Sequence, residues 1–376
     1  MLKLTPPMGW NSWNTFGEAI HEQMIFETAD AMVETGLLDC GYDYLVIDDC
    51  WSLRVRDEKE RLVPDPRKFP HGMKAVADYV HAKGLKFGMY SCAGNLTCAG
   101  YPGSFEHEFL DAQTFAEWGV DFLKYDYCYH SPIIPGKYLY RRMGTALENC
   151  GRDILLSACS WGADETQEWI KETGASMWRS TGDIADTWES VKRLVECQEK
   201  LHPYNGVGCF NDMDMLIVGM YGIGNVGVTG CTDVQYKTHF SIWALLGSPL
   251  MIGCDIRSMT PQTKEILTNR ELIRINQDGA CRQPVKLSGI WAGPDLVMYS
   301  RSLAGGDIAI GLFNMDGNER EARFNLDELG LPFSTGKTLK MKEVWTGEEY
   351  VVKNSSVAKR LQPYDCAVYR AQVVDA

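Results

Sequence analysis

Eight times between Met8 and Gly279 a short apolar run ends in polar or aromatic residues, and most of the intervals that follow carry helical spacing. The runs end in Asn11-Ser12-Trp13-Asn14, Asp48-Asp49-Cys50-Trp51, Ser91-Cys92-Ala93-Gly94-Asn95 and Lys124-Tyr125-Asp126. The later four end in Cys159-Ser160-Trp161-Gly162, Arg179-Ser180-Thr181-Gly182-Asp183, Asn211-Asp212-Met213-Asp214-Met215 and Gly253-Cys254-Asp255. Apolar runs such as Tyr44–Ile47, and Val120–Leu123 with Asp121 its one polar residue, suit parallel strands covered on both faces. Between runs, Ile25, Ala29, Met32 and Val33, then Met73, Val76, Ala77 and Val80, fall on one helical face, with Gly36 and Gly84 as stops. Eight such units in about 270 residues predict a (β/α)8 TIM barrel of the α/β class. The competitor is an open doubly wound sheet. That fold concentrates its chemistry at one switch point, whereas here almost every run ends in reactive or aromatic residues.

Near Cys281 the pattern changes. Ile290-Trp291, Leu296–Ser300, Ile308–Phe313 and Ala367–Tyr369 are short runs separated by turn residues. Ala304-Gly305-Gly306-Asp307 and Asp316-Gly317-Asn318 read as hairpin turns. The expected organisation is a catalytic barrel over residues 1–280 and a C-terminal antiparallel β-sandwich over 281–376, of a size usual for that architecture.

The net charge of −13 speaks against nucleic acid and anionic membrane surfaces as partners. No apolar run is long enough for a membrane span. Met1–Pro7 has no apolar signal core, so a cytoplasmic protein is expected, with a secreted form whose leader has been removed as the alternative. The 13 cysteines are scattered without zinc spacing and read mostly as buried free thiols. Gly222-Ile223-Gly224-Asn225-Val226-Gly227 matches GxGxxG, but no clear helix follows it and no acidic residue ends a strand about 20 positions on. It reads as packing glycines rather than a dinucleotide site.

The carboxylates say more. Asp48, Asp49, Asp126, Asp183 and Asp214 all sit at predicted strand ends, which a barrel gathers on one face. Lys124 and Asp126 are two apart on one strand and point the same way, so the lysine should keep Asp126 ionised. Crowded carboxylates drive their pKa values apart, and one ionised and one protonated acid is what a nucleophile and a general acid need. Asx helix caps would account for one or two of the five, but not for their company with Trp13, Trp51, Tyr90, Trp161 and Arg179. A metal site on the same carboxylates is weakened by the lack of histidine at any strand end.

Met8-Gly9-Trp10-Asn11-Ser12-Trp13, Ile47-Asp48-Asp49-Cys50-Trp51, Asn95–Ser104, Asp111–Asp121 and Lys124-Tyr125-Asp126 together resemble glycoside hydrolase family 27 of clan D. That is the α-galactosidase and α-N-acetylgalactosaminidase family. The resemblance runs in order to Asn276-Gln277-Asp278 and implies the same fold. It implies that Asp126 is the nucleophile and Asp183, four after Arg179, the acid/base. Asp48 and Asp49 match the pair on the sugar's 4- and 6-hydroxyls, Lys124 a ligand of the 3- and 4-hydroxyls, and Arg179 of the 2-hydroxyl. Trp13 matches an apolar wall, and Tyr90, Cys98, Asp214 and Met215 match other lining residues. Cys98 and Cys128 match a disulfide beside the site, in tension with a cytoplasmic location.

One departure bears on the substrate. Plant and animal α-galactosidases of the family read Cys-Glu-Trp where this chain has Cys159-Ser160-Trp161, and animal α-N-acetylgalactosaminidases have Ser there with Ala three positions on, as at Ala163. The resemblance therefore implies a retaining exo-glycosidase acting on α-galactosides, with α-N-acetylgalactosaminides as the alternative and β-L-arabinopyranosides a lesser one. It implies no cofactor or metal and allows a homo-oligomer.

Overall fold

The computed structural model describes residues 4–289 and 295–376. Its first part contains β1 (Met8–Asn11), β2 (Tyr44–Val46), β3 (Lys86–Cys92) and β4 (Phe122–Asp126), followed by β5 (Leu155–Cys159), β6 (Ala175–Arg179), β7 (Phe210–Asp212) and β8 (Leu250–Ile252). These pair in parallel in the order β7-β6-β5-β4-β3-β2-β1-β8. The ring closes just after β7, where Leu216 bridges to Ile252 of β8 and its amide donates to the Met251 carbonyl at 2.7 Å. This is the TIM barrel expected.

The strands are short because each need only span the barrel wall before its loop turns inward. Gly9 lets β1 approach β2: a Cβ there would lie 2.3 Å from the Tyr44 carbonyl oxygen. Helices Glu22–Glu34, Gly72–Ala82, Glu108–Trp118 and Gly136–Glu148 follow the first four strands. The link from β5 to β6 has only the short turns Ala163–Glu168 and Ile170–Thr173, so the fifth unit lacks its α-helix.

The second part contains β9 (Val285–Lys286), β10 (Leu296–Ser302), β11 (Ile308–Asn314), β12 (Arg320–Asn325), β13 (Lys337–Glu343), β14 (Glu349–Val351), β15 (Ser356–Leu361) and β16 (Cys366–Asp375). Six form an antiparallel sheet in the order β14-β13-β16-β11-β10-β9, and β12 pairs with β15 in a second. Ile310, Leu312, Phe324, Leu339 and Val357 fill the space between the sheets. The turn at 304–307 joins paired strands, as expected. The turn at 316–318 does not make a hairpin. It carries the chain from β11 to the other sheet, and the Asn314 amide fixes that crossing by donating to the Asn318 and Gln362 carbonyls. The run Ile290-Trp291 lies outside the described residues.

The six-stranded sheet packs its other face on helix Asp233–Leu246. That helix opens on a Thr232–Gln235 capping box and closes at Gly247 with φ 70°. Covered by barrel and sheet alike, it is buried on every side from Thr238 to Leu246, polar residues included. Thr238, Lys237 and Ser241 tie it to the Tyr364 carbonyl, Asp365 and Trp345 of the second part. No helix among the described residues is long and apolar enough to cross a membrane.

Candidate active site

The C-terminal strand ends converge on one pocket lined by Trp13, Asp48, Asp49, Tyr90, Cys98 and Lys124, with Asp126, Arg179, Asp183, Asp214 and Met215 on its other side. All were expected there from the sequence. Register explains the gathering: Lys124 aligns with Tyr90 on one side, and Asp126 aligns with Cys92 and Cys159.

Asp126 is buried and held by both oxygens. The Tyr90 hydroxyl donates to Oδ2 at 2.9 Å and the Tyr127 amide to Oδ1 at 2.8 Å. The expectation that Lys124 depresses its pKa below the ordinary value is corrected. Burial dominates and pushes the Asp126 carboxyl up to about 6, against the opposing pull of Lys124 and the two hydrogen bonds. The Lys124 ammonium instead lies 2.8 Å from Asp48, which also accepts from the Asn11 amide at 2.7 Å. Asp49 accepts from the Cys50 and Ala99 amides, and burial raises its carboxyl.

Arg179 sits between two carboxylates. One guanidinium nitrogen donates to Asp183 at 2.8 Å and the other lies 2.9 Å from Asp214. Asp183 is at the rim, with its side chain 71% exposed, whereas Arg179 and Asp214 are buried. Burial acts to raise the Asp183 carboxyl, but the charge and hydrogen bond of Arg179, with Lys124 and Arg193, outweigh it and hold it below the ordinary value. Asp214 is raised, by burial first. Beneath the pocket Asp212 is pushed up to about 6, again by burial.

Cys98 and Cys128 form a disulfide with Cα atoms 5.2 Å apart, within the span such a bond allows. Their sulfurs and an Asp126 oxygen lie within 4.8 Å of one another. With the sulfurs bonded to each other, that trio offers no thiolate pair to a metal.

Cys128, Cys159, Ser160, Trp161 and Ala163 stand behind the lining rather than in it. The Cys159 sulfur accepts from Arg179 at 3.8 Å. Ser160 is fully buried, its oxygen 2.6 Å from the Thr166 hydroxyl, which itself donates to the Ala163 carbonyl. With the Thr166 proton so committed, Ser160 must be the donor of that pair. The loop around them is strained: Trp161, Asp164 and Glu165 have φ of 58°, 53° and 50°. Asp164 is turned away to accept from the Tyr127 hydroxyl. Ser160 is thus engaged by Thr166, while Asp164 is held at Tyr127.

Sequence reasoning missed Asn14, Ile184 and Val226, which also line the pocket, and Asn11 beneath it. Asn11 and Asn14 stand in the first strand-end motif, so a signal was present. Val226 belongs to the GxGxxG stretch, whose role is packing: its amide donates to the Asn14 carbonyl, and a Cβ on Gly224 would lie 2.7 Å from Thr15.

Two family descriptions match the chain: "Alpha galactosidase A" over residues 5–278 and "Alpha galactosidase C-terminal beta sandwich domain" over residues 293–371. An α-galactosidase of Cyamopsis tetragonoloba is 43% identical over 97% of this chain and 85% of its own. The structure of α-galactosidase I from Mortierella vinacea superposes with a TM-score of 0.91 at 32% identity, covering 98% of this chain and 97% of that one. The α-galactosidase of Saccharomyces cerevisiae solved with raffinose does so with a TM-score of 0.89 at 31% identity, covering 99% and 98%.

Proposed function

The chain belongs to the α-galactosidase family, glycoside hydrolase family 27, and from that premise we propose that it removes terminal α-linked D-galactosyl residues with retention of configuration. It is a glycoside hydrolase of the α-galactosidase type. The observation that carries the finer reading is the pairing of a buried, hydrogen-bonded carboxylate, Asp126, with a rim carboxylate, Asp183, in one pocket.

In this reading an Asp126 oxygen attacks the anomeric carbon as the bond to the leaving oxygen breaks, and Asp183 gives that oxygen its proton. Asp183 then takes a proton from water, the water oxygen bonds to the anomeric carbon, and Asp126 leaves. The chemistry needs no cofactor or metal. In the free site Arg179 favours the charged form of Asp183. A general acid needs the opposite. Engagement of Arg179 by the sugar's 2-hydroxyl would loosen its hold on Asp183 and let that carboxyl take up a proton. Asp48, Asp49 and Lys124 would hold the 3-, 4- and 6-hydroxyls, and a 6-hydroxyl is what a β-L-arabinopyranoside lacks.

The position of Thr166 supports galactosides over α-N-acetylgalactosaminides, because Ser160 is fully buried against it and does not open onto the pocket. The net charge supports the expectation that neither nucleic acid nor membrane is a partner. The change from parallel to antiparallel pairing supports dividing the chain near residue 280. Of the two locations read from the sequence, the Cys98–Cys128 disulfide supports the oxidising one.

The test is stereochemical. Proton NMR of a fresh reaction on an aryl α-galactoside should show the α-anomer first, and a 2-fluorogalactosyl reagent should label Asp126. Release of the β-anomer first would overturn the retaining assignment.

A further inference from the structure

A second cavity, of about 280 Å³, lies between the outer face of β7 and the β9–β10 hairpin. It is separate from the catalytic pocket and shares no lining residue with it. Its volume is close to the lower end of ordinary small-ligand sites.

The barrel side of this cavity presents three buried amides. Asn211 donates to Gln198 at 2.7 Å, its backbone amide donates to the Asn205 side chain at 2.9 Å, and Gln198 reaches the Ser180 hydroxyl at 3.3 Å. Each of the three is more than nine-tenths buried. The Asn211 Oδ1 acceptor has no hydrogen-bond partner among the described residues. Folded proteins seldom leave such an acceptor unpaired. Gln198 also donates to the Leu194 carbonyl and Asn205 to the Leu246 carbonyl, so Asn211 Oδ1 is the acceptor these bonds leave over. Alternation along β7 turns Phe210 and Asp212 inward and leaves Asn211 and Met213 facing the cavity.

The opposite wall is mixed. Gln283 adds a fourth amide, and Pro284, Val285 and Tyr299 add apolar surface that faces Met213 and Leu246. The charged groups at this cavity, Glu199 and Lys286, pair with each other at 3.1 Å across the two parts of the chain. No net charge is left to recognise an ion.

We propose that this cavity is a second binding site and that its ligand is an uncharged monosaccharide or cyclic polyol. The unpaired Asn211 acceptor can take a proton from a hydroxyl, and the Gln283 amide opposite can both donate and accept, so the two walls match a ring of hydroxyls without charge. The apolar wall matches the C–H face of such a ring. An anion would find no unpaired cation, and a purely apolar ligand would leave the Asn211 acceptor unpaired.

The test is equilibrium dialysis of the whole chain with labelled myo-inositol, and with gluconate as the anionic control. One myo-inositol should bind per chain, with a dissociation constant on the order of 1 mM or below, and gluconate at least about tenfold more weakly. Val285→Trp, placed on an exposed strand to fill the cavity, should abolish binding and leave turnover and melting unchanged. Gln283→Ala should weaken binding about fivefold to tenfold through one lost hydrogen bond. No uptake by the wild type would mean a cavity holding water only and would overturn the proposal. Uptake that survives Val285→Trp with normal turnover would overturn it too. If Val285→Trp does not fold, unchanged binding in Gln283→Ala does the same.

Discussion

Lys124 donates to Asp48, just beyond the end of β2, at 2.8 Å, and not to Asp126, the carboxylate two residues further along its own strand. The lysine therefore neutralises one wall of the pocket and leaves Asp126 to be held by Tyr90 and the Tyr127 amide. It still acts on Asp126 at a distance, and that division of labour can be tested.

Replacing Lys124 with Met strands the buried Asp48 and removes a charge that lowers the Asp126 pKa. Stability should fall by about 3 kcal/mol, as for other broken buried pairs. The acid limb of the kcat/KM profile should move to higher pH. Urea melts and a pH–rate series check both, and an unmoved limb contradicts the coupling.

Tyr90→Phe removes a hydrogen bond that favours ionised Asp126. Its carboxyl should then titrate higher than about 6, and the acid limb should shift upward with little change in the fold. A shift downward would mean that Tyr90 accepts rather than donates.

Asp126→Asn should lower kcat by roughly 10⁴-fold or more, as removal of other covalent nucleophiles does. It should also stabilise the protein. A carboxyl raised from 3.8 to about 6 contributes stability that is present below the lower value and is lost as pH rises through the higher one. Asn resembles the protonated form at every pH, so well above pH 6 the variant should be more stable by about 3 kcal/mol. Thermal melts at pH 4 and pH 7.5 check this: the gain should appear only at the higher pH.

Thr166→Ala should open the space behind Ser160. Wild type should cleave an aryl α-galactoside at least about 100-fold better than the matching α-N-acetylgalactosaminide, and the variant should narrow that ratio about tenfold. Paired kcat/KM measurements decide it. Efficient N-acetyl cleavage by wild type would mean that the 2-position lies elsewhere.

Removing the Cys98–Cys128 bridge by a double Ser substitution opens a link of sequence separation 30. The expected loss is about 3–4 kcal/mol. The Ala99 amide would also lose its fixed place on Asp49, so KM should rise more than kcat falls. Equal effects on both would argue that the bridge serves stability alone.

The sequence by itself determined the barrel, the change to antiparallel strands and most of the residues that line the pocket, with Cys98 and Met215 implied only by resemblance. Strand–helix alternation is local, and a barrel brings every strand end to one face whatever the loops do. The crowding of carboxylates at the strand ends pointed to an acid and a nucleophile, and the proposed roles of Asp126 and Asp183 in particular rest on a resemblance in motifs. Only tertiary structure decided which charges pair. Sequence spacing placed Lys124 beside Asp126, but the end of β2, one strand beyond β3, puts Asp48 within reach of the lysine, and burial then set the Asp126 pKa against the lysine. The same holds behind Ser160, where Thr166 lies six residues away and reaches it only because a strained loop folds back. The crossing at 316–318 and the amide cavity against β7 likewise depend on which surfaces meet. Pairing, desolvation and interdomain contact depend on distances through space, and residue spacing along a chain carries them only where the backbone between is regular.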